Sequence, residues 1–172
     1  MTERLGGRER RLRAERVAGR FLLVWGDGEV RVVEERTGRS VTVEDLGAAG
    51  FWEVVLAVLE RVAKDRELLP PLVLLLDEFS GVPGLGPVRD GVVAVREYLK
   101  EAYLALGLGR GGEARELLGR AAEIALMVRA LLRLRARGAG LVALEDLVKV
   151  GEIEGRPVYA LKRDSAGRQE TA

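Results

Sequence analysis

The sequence contains neither cysteine nor histidine. Without cysteine there are no disulfides, no thiolate nucleophile and no thiolate metal site. Without histidine, the usual general base at neutral pH and the commonest transition-metal ligand are both missing. Most hydrolytic mechanisms are thereby disfavoured, and no cofactor or metal is expected. Asparagine is absent, glutamine occurs once, and 24 arginines stand beside four lysines. Avoidance of thermolabile side chains fits a thermophile, and a GC-rich genome would leave the same mark. No stretch reaches the roughly 18 uncharged apolar residues of a membrane span, and the arginine-rich start leads into no signal-peptide core, so a cytoplasmic protein is expected.

What is present is enough to fold. Apolar residues make up 48% of the 172 and charged ones 32%, too hydrophobic for a disordered chain and long enough for one core or a core with a small appended unit. Net charge is +1, so affinity for an anionic partner must come from local clustering. Clusters exist: residues 1–20 hold seven arginines against three glutamates, and residues 44–79 hold eight acids against three bases.

Residues 1–19 are expected as a charged flexible arm. Phe21 to Trp25, the turn Asp27-Gly28, Val30 to Val33 and Val41 to Val43 predict a small three-stranded β-domain over 20–50, because Asp-Gly supplies the positive φ angles of a tight hairpin. Glu44 and Asp45 mark a possible helix start, with a firmer helix from Phe51 to about Arg66. Leu68-Leu69-Pro70-Pro71 stops it. The run Leu72 to Phe79 is ambiguous between strand and helix; Pro71 at a first helical position favours helix. Ser80 to Pro87 is a glycine- and proline-rich loop. Two long helices then meet at a glycine connection, the first from Val88 to Leu106 and the second from Glu113 to Arg137, which favours antiparallel packing. The helical domain runs over 51–147, a terminal hairpin over 148–163 and a polar tail over 164–172. The fold class is α+β: a small N-terminal antiparallel β-domain, a mainly helical domain and a short C-terminal β-hairpin.

Motifs with chemistry are few. The run ending in Asp77-Glu78 has the look of a magnesium-binding strand end, but no Gly-Lys-Ser/Thr loop exists to cradle phosphates. Glu152 and Glu154 would share a strand face and could approach a cation, as exposed acid pairs routinely do. Neither feature defines an enzyme, and none is expected.

The helix from Glu113 to Arg137 is more informative. Leu117, Leu118, Ala121, Ile124, Ala125, Val128, Leu131 and Leu132 recur at the spacing of one apolar face, which must be buried; Leu117, Ile124, Val128 and Leu131 are the candidate partner interface. Arg129, Arg133 and Arg137 stand four residues apart along one edge, with no acid among them. They either complement the helix dipole and keep the surface soluble, or contact phosphate or an acidic partner. Lys149, Arg156, Lys162 and Arg163 would extend that contact were the terminal hairpin a wing, giving a small basic winged-helix-like module on the DNA backbone as the alternative function.

The helix running into Asp65-Arg66-Glu67-Leu68-Leu69-Pro70-Pro71, the long arginine-rich helix, and Leu141-Val142-Ala143-Leu144-Glu145 after it together resemble GINS complex subunits of the type with the small β-domain first. The resemblance covers roughly 100 residues. It implies a non-catalytic assembly subunit or scaffold in DNA replication, packed against a sister subunit and linking the replicative helicase to other factors, hence an oligomer.

Overall fold

The computed structural model describes residues 2–5, 8–138 and 144–162. An antiparallel pair, β1 (Thr2–Leu5) and β2 (Arg8–Arg11), precedes a four-stranded antiparallel sheet of β3 (Arg13–Ala18), β4 (Phe21–Gly26), β5 (Glu29–Glu34) and β6 (Ser40–Val41), in that order. Strand β4 is the apolar spine, with Phe21, Leu23, Val24 and Trp25 buried. Asp27 and Gly28 both take positive φ, at 50° and 77°, closing a hairpin that sets Trp25 opposite Val30 and Leu23 opposite Val32.

The arm expected over 1–19 is corrected here, since β1, β2 and β3 all fall within it. In β3 the backbone ladder to β4 outweighs the charged side chains, which suit an edge strand facing water. Only Val17 of the strand turns fully into the core, with Leu12 just ahead of it. The charges are used as well: the Arg13 guanidinium lies 5.1 Å from the Trp25 ring centre, and Glu15 accepts from Arg61 at 3.0 Å.

Helix α1 (Val43–Val62) begins earlier than its firm expected start, because Thr42 and Asp45 cap it reciprocally. The Asp45 amide donates to Thr42 Oγ1 at 3.3 Å, and the Thr42 amide donates to Asp45 Oδ2 at 2.9 Å. Gly47 (φ 75°, ψ 163°) then breaks the helical path, a conformation open to glycine, so the capped turn is set at an angle to the main body of the helix. The expected boundary at residue 50 therefore lies inside α1.

After a single 3-10 turn at Arg66–Leu68, α2 (Leu69–Ser80) settles the ambiguous run as helix, with prolines in its first turn where no amide hydrogen is needed. Helices α3 (Val88–Gly107) and α4 (Gly111–Ala136) are joined by three residues. Gly91 near the start of α3 lies against Val128 in the second half of α4, so the two run antiparallel. A Cβ at Gly91 would stand 2.7 Å from Val128 Cγ2, so the close approach requires glycine. A 3-10 turn at Leu144–Asp146 leads into β7 (Leu147–Ile153) and β8 (Arg156–Leu161). The sequence from Leu141 to Leu147 reads as a short helix or turn; its residues 141–143 lie outside the described residues, as do residue 163 and the tail over 164–172.

One cluster of buried side chains runs from Val17 in the sheet through all four helices to Leu147. Burial of this kind contributes roughly 25 cal/mol per Å² of apolar surface and is what holds sheet and helices as one body. Its centre is Trp52 of α1, whose ring lies 5.0 Å from that of Phe79 in α2.

Candidate functional site

Helix α4 is the element around which the candidate residues are set, and most of its apolar face is already used. Val128 and Leu131 are fully buried beneath the chain's own α1 and α3, and Leu117 and Ile124 are half-buried at the edge of the same core. The apolar stripe is real, but its innermost positions are satisfied within the chain. Val128 and Leu131 therefore offer no surface to a partner, which corrects the expected interface. Other large apolar side chains are left outside by the fold.

They lie on β7, at Val148, Val150 and Ile153, and at the end of α3 and just beyond it. Tyr103, Leu104 and Leu108 are 54, 65 and 70% exposed. Tyr103 and Leu104, with Pro70, Val73 and Leu74 of α2, line an open groove of about 470 Å³. The buried face of α3 is carried by Val92, Val95, Leu99 and Ala102, so Leu104, on the far side of the helix, has no core to enter, and Tyr103 lies at the edge of the buried face. Lys100 stands on the groove rim and Glu101 beside it, and neither forms an ion pair among the described residues. At the far end Arg96 donates to Asp77 at 3.1 Å. That pairing gives the Asp77-Glu78 run its role: Asp77 ties the end of α2 to α3. Sequence periodicity did not contain this signal for Tyr103, which the helical spacing groups with Val92, Val95, Leu99 and Ala102 and which the structure leaves half exposed.

The second surface is the arginine edge. Arg129, Arg133 and Arg137, with Leu134 of α4 and Pro157, Val158 and Tyr159 of β8, line a groove of about 250 Å³. The expectation of an edge free of acids holds along α4 alone. Glu53 of α1 reaches across, accepting from Arg133 at 2.9 Å and lying 3.8 Å from Arg129. Arg137 at the helix end is exposed. Arg135 points away from this edge and donates to the carbonyls of Leu85 and Gly84, both at 2.7 Å, fastening the loop before α3. Tyr159, which sequence reasoning missed, is brought to the ridge by the packing of β8 on α4. Partial burial and the nearby Glu123 carboxylate push its hydroxyl pKa up, so it stays neutral.

The hairpin does less than a wing would. Lys149 donates to Glu152 at 2.8 Å, which raises the lysine pKa and lowers that of the glutamate. Glu154 sits in the turn at φ 53°, beyond the end of β7, so the strand face expected to be shared by Glu152 and Glu154 is corrected. The Arg156 backbone opens β8 opposite Ile153; its side chain lies outside the described residues. Immediately before β7 the described residues hold only the 3-10 turn, where a winged helix needs its recognition helix. No group of three or more acidic side chains positioned to hold a metal ion occurs among the described residues, and no helix there is long and apolar enough to cross a membrane.

Comparison with family profiles, with curated proteins and with solved structures returns no match for this chain.

Proposed function

We propose that the chain is a non-catalytic assembly subunit whose α2–α3 groove receives an amphipathic helix of a second protein. The observation that carries this reading is the group Tyr103 and Leu104 at the end of α3 and Leu108 just beyond it, all more than half exposed, while Val92, Val95, Leu99 and Ala102 of the same helix are fully buried. Large apolar side chains gathered beside a concave apolar groove mark interaction sites more often than they mark solvated surface. The lining sets the occupant's character: an apolar stripe for the groove, flanked by an acid for Lys100. On the GINS-like order of a β-domain first and helices after it, the second protein is a sister subunit, and the assembly serves DNA replication beside the replicative helicase.

The test is purification of the tagged chain from its native source, alongside Leu104→Asp. The account expects a stoichiometric complex with a second protein carrying an apolar helix, lost in Leu104→Asp with the melting temperature unchanged. Retention of the partner by Leu104→Asp, or a monomer in both preparations, would contradict it.

A further inference from the structure

The groove between α4 and β8 shares no residue with the α2–α3 surface and has a different chemistry. We propose that it binds single-stranded nucleic acid, with Arg129, Arg133 and Arg137 meeting successive phosphates, Tyr159 meeting a base, and Glu53 acting as a resident competitor for the arginines.

Three features of the groove support this. Residues four apart on a helix are spaced by roughly 6 Å along its axis, comparable to the separation of neighbouring phosphates on an extended strand, so the three guanidinium groups can follow a backbone in register. Arginine's planar fork suits the phosphate oxyanion. Among the described residues the β8 side of the groove is lined by the uncharged Pro157, Val158 and Tyr159, with the Glu123 carboxylate near Tyr159, and Leu134 of α4 also lines the groove. A basic track beside an aromatic and apolar wall is the arrangement by which single strands are held without sequence readout. A duplex, whose bases are stacked inside, would touch only the arginine rim. An acidic peptide could neutralise the arginines but has no planar ring for Tyr159.

Glu53 gives the site its regulation. Its carboxylate accepts from Arg133 at 2.9 Å and stands 3.8 Å from Arg129, occupying the position a phosphate oxygen would take. It holds both side chains in place while the groove is empty and must be displaced, at least from Arg133, when a strand enters. Arg133 is 54% exposed at its side chain and Arg137 is open to solvent, so entry begins from the C-terminal end of α4.

The experiment is fluorescence anisotropy of labelled oligo-dT of about 20 nucleotides with the full chain, titrated across a salt series, with labelled poly-glutamate as the second probe. The account expects a log–log salt slope near −2, from three phosphates at about −0.7 each. Arg137→Ala should make the slope shallower by about 0.7. Tyr159→Ala should weaken binding by at least about fivefold, as loss of one stacked base does. Glu53→Gln should tighten it, by about threefold or more, because the competitor loses its charge. Circular dichroism of each variant excludes misfolding, and Arg137→Ala alone suffices if the others unfold. Oligo-dT binding that is absent at low salt, or unchanged in Arg137→Ala, would overturn the proposal. So would poly-glutamate binding through these arginines without oligo-dT binding, and unchanged affinity in Glu53→Gln would overturn the competitor role.

Discussion

The indole N–H of Trp52 donates to the carbonyl of Ala125 at 2.9 Å, joining the middle of α1 to the middle of α4 across 73 residues of sequence. Both residues are fully buried, and the same ring packs on Phe79. A single side chain thereby holds three helices in register.

Replacing Trp52 tests that relationship. Trp52→Ala should destabilise the fold by about 3–5 kcal/mol, as large aromatic truncations in cores do. Trp52→Phe keeps much of the ring but loses the hydrogen bond and leaves a smaller void, for about 1–3 kcal/mol. Equilibrium unfolding in urea, read by far-ultraviolet circular dichroism, checks both values and their order.

The start of α1 gives a pH-dependent prediction. The Thr42 amide first, and its hydroxyl second, hold the Asp45 carboxyl below the usual carboxylate range. A folded-state pKa below the unfolded one means that the contribution is present above the unfolded value of about 3.9 and is lost as pH falls through the folded value. Asp45→Asn should therefore be less stable than the wild type at pH 7, and the gap should narrow as pH falls below about 4. Thr42→Ala, which removes the capping hydroxyl, should cost about 0.5–2 kcal/mol at neutral pH. Thermal melts at a series of pH values measure the first, and urea unfolding the second.

Leu131 and Arg133 stand two residues apart on α4 with opposite fates. Leu131→Asp buries an unpaired charge at a position with no exposure and should abolish cooperative folding. Arg133→Ala breaks only the half-exposed pair with Glu53 and should cost no more than about 1 kcal/mol. Differential scanning calorimetry of the two variants separates them directly.

These residues also show which parts of the fold were legible in the sequence. Helices α3 and α4 were, because their apolar spacing is a local signal repeated over more than five turns, and the Asp27-Gly28 hairpin was, because two adjacent residues specify it. Strand β3 was not: its charged side chains carry no apolar alternation, and only the ladder to β4 makes it a strand. The pairing of Glu53 with Arg133, 80 residues on, and the arrival of Tyr159 at the arginine edge depend on tertiary packing that no local pattern encodes. Likewise, the α4 stripe announced that a face must be buried without saying that α1 and α3 would bury most of it. The exposed set at the end of α3 and just beyond it emerges only once that burial is known.

The central claim is that the α2–α3 surface is where a second protein docks. Hydrogen exchange of the purified complex against the free chain, read by mass spectrometry, tests it most directly. The account predicts slowed exchange in peptides covering 69–80 and 97–108, with the buried body of α4 unchanged. Protection confined to the sheet or to the C-terminal hairpin, with 69–80 and 97–108 exchanging as in the free chain, would contradict it.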